Sequence, residues 1–365
     1  LTDALTTNEM VVDLYMERAI DLIRLEAGTR NKVFVFLGEL EKELTAQLTK
    51  VDPTGTPNTN RQRVRLQKLL TEVRSAIKGT YRDIATLMTR EIREIADHEA
   101  DWTTNTVNDS IGFRFSDASL TRAGLTNLVS DVLIQGAPSN EWWARQAGGL
   151  ASKFADEMRK GVALGESNSD LVARVRGIST VPGIMEISRR SAEGLVRSSV
   201  QTAANVGREA MYAEHDDIIA SLQWHATLDT RTSVWCITRD THLYSNTDAH
   251  TPKDGGPPWL EGPGRIHWNC RSTSVPVLKT WRDLGIDEDE IPQTTRSSMD
   301  GQVAAKQSFE AWLKKQSEAR QNTVLGDGKA QLWRDGKITF RDLLDQNGRP
   351  LTTEELRAKA ARRGK

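Results

Sequence analysis

The sequence predicts a mainly α fold: an elongated helical N-terminal region followed by a smaller α+β C-terminal domain. Three observations carry this. Apolar residues recur at three- and four-residue spacing through most of the first 220 positions. An alternating apolar–polar run, the pattern of a strand, follows at Leu222, Trp224, Ala226 and Leu228. Seven of the ten tryptophans, both cysteines and most prolines lie beyond residue 220. The resulting division is a helical hairpin region over 1–118, a second helical region over 119–220 and an α+β domain over 221–365.

Taken in order, Val12, Met16, Ala19, Ile20, Ile23 and Ala27 mark a first helix, with Gly28 read as its stop. A second segment from about Lys32 to Leu48 continues with Phe34, Leu37, Leu40 and Leu44. VDPTGTPNTN (51–60) is a loop by composition. The next helix carries Leu66, Leu69, Leu70, Val73, Ile77, Ile84 and Met88, is expected to reach about His98, and has a candidate bend at Gly79. Antiparallel packing is the economical way to bury such stripes. Gly136–Pro138, Gly161–Ser169 and Gly177–Gly183 read as loops, Leu171, Val172 and Val175 as a short helix, and about Glu186–Tyr212 as a long one. Near the C-terminus, Thr352 and Glu355 form a capping box flanked by Leu351 and Leu356 at staple positions.

The balance of 49 basic and 50 acidic side chains, net −1, excludes a strongly basic nucleic-acid packager. No run approaches the roughly 18 apolar residues of a membrane span. LTDALTTNEM carries no basic-then-apolar secretory pattern. Two cysteines in 365 residues exclude a disulfide scaffold. A basic stripe at Arg61, Arg63, Arg65, Lys68, Arg74, Lys78 and Arg82 reads first as a solvated face balanced by Glu72 and Asp83. Any DNA contact there would be to phosphates and salt-sensitive, without base readout.

The informative stretch is WHATLDTRTSVWCITRDTHLYS followed by GGPPWLEGPGRIHWNCRSTSVPV. Val275 and Val277 mark a second strand, ended at or just past Pro276. His267 and Cys270 have a spacing that lets two ligands face one metal, and Cys236 offers a third. A fourth could come from His242, His250, Asp229 or Asp240. Three readings stay open: a structural zinc site, two free thiols with a hydrogen-bonded histidine, and a Cys236–Cys270 disulfide. Asp229 and Arg231, with the Thr hydroxyls of D-T-R-T, read as a pinned turn.

The pattern W-x-A-x-x-D-x-R-T-x-x-x-C, a Gly/Pro-rich loop, H-x-N-C-R and a closing strand resembles the phage Mu protein F-like head morphogenesis family. The matching residues are Trp224, Ala226, Asp229, Arg231, Thr232, Cys236, His267, Asn269, Cys270 and Arg271. VRSSVQTAANVGREAMY (196–212) is similar to the family's helix before the motif, and FEAWLKKQSEARQNTVLGDGKAQLWRDGKITFRDLL with GRPLTTEEL is similar to a segment common after it. Ser272 stands where many relatives have a further cysteine, and Trp268 where many have proline. The resemblance is specific over about 190–356 and general over 1–190. It implies a minor head protein of a tailed bacteriophage, made in the host cytoplasm and placed in the virion head near the portal vertex. The implied partners are the portal and major capsid proteins, in multiple copies per virion, with packaged DNA touched at most through phosphates. The implied role is structural, in head morphogenesis and in DNA packaging or ejection, with no membrane, no catalytic residue and no cofactor beyond a structural zinc.

Two enzyme alternatives compete. An ADP-ribosyltransferase-like site would use Arg271, Ser272, Thr273 and Ser274 with Glu288, Asp289 and Glu290, but these groups are crowded within about twenty positions. A nuclease would use His267 and Asn269 with His242 or His250, but a strand ended by proline follows where that site needs a helix. No phosphate-binding glycine loop or nucleophile elbow is present.

Overall fold

A computed structural model describes residues 7–50, 60–111, 119, 121, 124, 132–280, 282–283, 295–298, 301–304, 308–345 and 347–363. The chain is mostly helical, with a long N-terminal helical region and a small sheet-containing C-terminal part. Among the described residues no helix is long and apolar enough to cross a membrane. The elements begin with α1 (Thr7–Lys50), α2 (Asn60–Ile111), α3 (Ser139–Ala163) and α4 (Asn168–Arg176). A two-residue ribbon, β1 (Gly177–Ile178) and β2 (Val181–Pro182), leads into α5 (Ile184–Glu214). Contacts divide the chain into two compact units. Unit 1 is Leu1–Leu22, Ile95–Thr126 and Gln201–Lys365; unit 2 is Ile23–Glu94 and Asn127–Val200. Each unit draws on more than one of the ranges 1–118, 119–220 and 221–365.

Unit 2 is built from helices. Val33, Leu37, Leu40 and Leu44 of α1 are buried, as are Leu69, Val73, Ile77, Ile84 and Met88 of α2, each set on one face at helical spacing. Gly28 does not stop α1. Its neighbours are held instead: Thr29 donates to Glu91 at 3.2 Å, and Lys32 meets the same carboxylate at 2.8 Å. An isolated glycine costs a helix only about 1 kcal/mol, which such contacts offset. α2 likewise passes Gly79 and His98 and continues to Ile111. α4 opens on a Ser167–Asp170 capping box and buries Leu171 and Val175. The expected stripe of Ile20 and Ile23 is exposed. In the first turns of α1 the buried apolar positions are instead Val11, Tyr15 and Leu22.

Unit 1 holds the sheet. After α5 come β3 (Ile219–His225), α6 (Val234–Ile237), β4 (Leu243–Tyr244) and β5 (Thr273–Leu278). The strand order is β4-β3-β5, all antiparallel, with Trp224 opposite Ser274 and Leu222 opposite Pro276. The second strand thus runs through Pro276 to Leu278. β5 pairs on one side only, so a proline without an N–H is tolerated there. The chain continues through a hairpin, β6 (Thr295–Ser298) and β7 (Gly301–Ala304), to α7 (Phe309–Lys314), α8 (Glu318–Leu325), α9 (Asp327–Arg334), a 3-10 turn (Phe340–Leu343) and α10 (Thr353–Arg363). The Thr352–Glu355 capping box forms, with Leu356 fully buried behind it.

In unit 1 the N-terminal turns of α1 pack on the end of α2. Tyr15 stacks edge-on against Trp102 at 4.7 Å, and Arg18 donates to Glu99 at 2.7 Å. The residue numbers rise on one helix as they fall on the other, so the two run antiparallel there. One apolar cluster then joins Val11, Tyr15, Tyr212, Leu222, Trp224, Tyr244, Trp259, Cys270, Trp312 and Leu356.

Candidate functional site

Antiparallel pairing of β3 with β5 sets the end of one strand beside the start of the other, His225 opposite Thr273. Residues just after His225 therefore meet residues just before Thr273. This brings the two halves of the sequence motif, separated by some thirty intervening residues, into one place.

Three groups of contacts close the site. In the first, Asp229 takes a two-pronged bond from the Arg271 guanidinium, at 2.5 and 2.9 Å. The same carboxylate accepts from the Arg231 backbone N–H at 2.9 Å and from the Thr232 hydroxyl at 3.1 Å. The expected turn is present, but its cation is Arg271. The Arg231 side chain is 79% exposed and reaches Asp229 only at 3.9 Å. Burial would raise the Asp229 pKa; the bonds and charge of Arg271 outweigh it and hold the carboxyl below its ordinary value. Thr227 completes the link between the two halves, donating to the Arg271 carbonyl at 3.1 Å.

The second group is the Cys/His cluster. Ser233 precedes the short helix α6, which carries Cys236. His267 and Cys270 bracket a tight turn in which the Cys270 N–H bonds to the His267 carbonyl at 3.2 Å. That turn needs a left-handed residue, and Asn269 supplies it with φ of 60°. Cys236 Sγ lies 3.1 Å from His267 Nε2 and 3.6 Å from Cys270 Sγ. The Ser233 hydroxyl is 2.7 Å from the same ring nitrogen. On the opposite edge of the ring, Nδ1 is 2.8 Å from the Trp268 carbonyl, an acceptor, so Nδ1 carries the proton and Nε2 turns its lone pair to the sulfurs. Both cysteines are free and buried. Burial and the neighbouring Cys270 push the Cys236 thiol well above its usual pKa. Burial acts on Cys270 in the same sense, yet Cys236 and His267 hold it well below. Burial would lower His267, and its contacts with Cys270 raise it instead. Cys270 is thus the more easily deprotonated of the two thiols, with Cys236 held neutral beside it.

The donor atoms of Cys236, His267 and Cys270 all lie within 4.8 Å of one another, a set able to hold a metal ion. A tetrahedral centre with bonds of about 2.3 Å to sulfur and 2.0 Å to nitrogen spaces its ligands by about 3.5–3.8 Å. The two spacings from Cys236, 3.1 Å to His267 and 3.6 Å to Cys270, fit that with small adjustments. The candidates for a fourth ligand are engaged elsewhere. His242 pairs with Asp254 at 3.0 Å, and His250 stacks on Trp259 at 4.6 Å. Asp229 is held by Arg271, and Asp240 accepts the backbone N–H groups of Ala226 and Phe309 at 2.8 and 2.7 Å. Among the described residues, neither His242 nor His250 gathers with His267 in a group of metal-ligating side chains. Glu288, Asp289 and Glu290 lie outside the described residues.

The third group is the support. Trp224 is fully buried, edge-on to Trp259 at 5.4 Å, with the Arg239 guanidinium over its ring. Arg239 is itself buried and donates to the carbonyls of Trp235, Pro258 and Gly348. The loop before His267 sits on α5. Arg265 pairs with Glu209 at 2.6 Å, and Gly264 (φ +74°) leaves no room for a Cβ, which would lie 2.2 Å from Asn205. Arg208 of α5 reaches Glu99 at 2.8 Å and the Thr273 hydroxyl at 2.5 Å, fully buried. Tyr212 donates to the Ser274 carbonyl at 3.1 Å.

Sequence reasoning missed Ser233, Arg239, Arg208 and Glu99, and it offered Asp240 as a metal ligand where the carboxylate instead accepts two backbone N–H groups. Ser233 carries a readable signal, since serine before V-W-C-I is a helix N-cap residue. The buried charges carry none, because each looks like an ordinary surface residue until its partner is known. No protein-family model, curated protein or solved structure matches the chain.

Proposed function

We propose that the chain is a minor head protein of a tailed bacteriophage, associated with the portal and built on the Mu F-like motif. The observation that carries this reading is the convergence of the motif. Trp224, Asp229, Thr232 and Cys236 from one segment and His267, Asn269, Cys270 and Arg271 from the other each have a defined place around a single closure. Each of these residues bonds or packs against another part of the protein, which favours a structural or docking role over catalysis. In this reading the chain meets the portal and major capsid proteins and acts in head assembly, with effects on DNA packaging or ejection.

The metal that suits the cluster is zinc, held by Cys236 Sγ, His267 Nε2 and Cys270 Sγ. Two thiolates and an imidazole are its preferred donors, and the Nδ1–H bond to a backbone carbonyl is the usual orienting contact for a ligating histidine. Zinc would supply a cross-link between the two motif halves. With Ser272 where relatives have a further cysteine, the fourth position falls to water or to a donor from a partner.

The test is a pull-down of the full chain against the portal and major capsid proteins of the phage encoding it, with metal content measured on the same sample. Stable portal capture with about one zinc per chain is the expected result. Failure of a folded chain to bind portal or capsid protein overturns the head reading. Folded protein without zinc, purified without chelator, removes the metal.

A further inference from the structure

Unit 2 carries a groove of about 560 Å3 between α2 and α3. On the α3 side it is lined by Ala144, Ala147, Gly148 and Ala151, which recur at three- and four-residue spacing as a strip of small side chains, with the polar Asn140 and Ser152 beside them. On the α2 side stand Arg74, Lys78 and Arg82, spaced by four and all exposed. Arg74 and Lys78 have no hydrogen-bond or ion-pair partner among the described residues. Arg82 reaches only its neighbour Asp83, at 3.8 Å.

Two further residues shape this face. Tyr81 lines the groove and is 98% buried, with its hydroxyl directed at Ser188 of α5 and its ring forming part of the apolar floor. Gly148 sits inside α3, where glycine weakens a helix, yet a Cβ there would meet nothing within 4 Å. The fold of the described residues does not require that glycine.

We propose that this groove docks an acidic amphipathic helix of a partner protein. The small face of α3 allows close approach of a helix backbone, the apolar side of the incoming helix covers Ala144, Ala147 and Ala151, and Asp or Glu side chains at four-residue spacing meet Arg74, Lys78 and Arg82. Charge complementarity selects this occupant. DNA would use the basic edge alone and leave the α3 face uncovered, since phosphates gain nothing from methyl groups. The inference is independent of the head reading and of the Cys/His cluster, which lie on unit 1 residues.

The experiment uses the full chain and a fluorescein-labelled helical peptide of about five turns. The peptide carries Ala and Leu on one face and Glu at i, i+4 and i+8 along its edge. Saturable binding is expected, weakened at least about tenfold by the Arg74→Glu/Lys78→Glu double variant. A peptide with Lys in place of Glu should bind the double variant and not the parent. Gly148→Leu, a substitution that favours the helix and meets open space, should also weaken the acidic peptide at least about tenfold while leaving the circular dichroism spectrum intact. Absence of saturable binding, indifference to charge reversal, or full affinity in Gly148→Leu overturns the proposal. A parallel arm with duplex DNA makes the alternative explicit: DNA binding that survives Gly148→Leu, with no peptide binding, assigns the basic edge to phosphates and removes the helix.

Discussion

The motif region of unit 1 and the helices of unit 2 handle charge in opposite ways. In unit 1, Arg208, Glu99, Arg239 and Asp240 are buried, and each is met by named partners inside the protein. In unit 2, the buried carboxylates Glu26 and Glu91 are met by Arg197 and Lys32, whose side chains keep 26% and 53% of their exposure. Water can therefore replace a lost partner in unit 2 and cannot in unit 1. Single side chains should matter far more around the motif than along the helices.

The largest expected effect follows directly. Arg208→Met leaves Glu99 Oε2 without its cation, while Arg18 still holds Oε1. The loss should be about 3 kcal/mol, at the lower end for a stranded buried partner. Arg197→Met in unit 2 should cost about 1 kcal/mol or less, because Glu26 can be resolvated. Denaturant unfolding of both variants measures the contrast, and equal losses would break it.

Next in size is the cluster. Cys236→Ser, or chelation of wild-type protein, should lower the thermal midpoint by about 5 °C or more and release zinc. A midpoint unmoved by both treatments would mean that the thiols and imidazole are held by hydrogen bonds alone.

Asp229 gives a smaller effect with a defined pH signature. Its carboxyl is held below the ordinary value, so its contribution to stability is present above about pH 4 and is lost as pH falls through the depressed folded-state pKa. Asp229→Asn should cost about 1–2 kcal/mol at neutral pH, since Arg271 loses a charged partner. It should also flatten the fall in thermal midpoint below pH 4. A variant with the same acid limb as wild type would place that sensitivity at other carboxylates.

Much of the fold, though not the buried charges, was legible in the sequence, and the residues show why. Leu37, Leu40, Leu44, Leu69, Val73 and Ile77 repeat with the helical period and are buried as read. The Thr352–Glu355 box followed from spacing, as did the pairing of His267 with Cys270, while the approach of Cys236 to them was one of the readings left open. What failed was local punctuation. Gly28 looks like a stop and is not one, because helix ends are set by the whole chain's packing as much as by one weak residue. β4 escaped notice because two residues carry no period, and Pro276 hid the length of β5 because its tolerance depends on an edge position that only the sheet order reveals. Arg271 displaced Arg231 as the partner of Asp229 for the same reason: a contact across 42 positions leaves no mark in local sequence.

The smallest effect uses one substitution in both units. Gly79 lies within α2, and a Cβ added there meets nothing within 4 Å. Gly79→Ala should therefore stabilise by about 0.5–1 kcal/mol, through helix propensity and a less free unfolded chain. Gly264 in unit 1 has φ of +74°, and its Cβ would collide with the Asn205 amide at 2.2 Å. Gly264→Ala should destabilise by at least about 1 kcal/mol and loosen the loop from α5. Opposite signs for the same added methyl, read by chemical denaturation, would establish that α2 tolerates volume at Gly79 where the loop before His267 does not at Gly264. A gain at both positions would mean that the loop before His267 can move off α5 without cost, and the support assigned to Arg265 and Glu209 would have to be withdrawn.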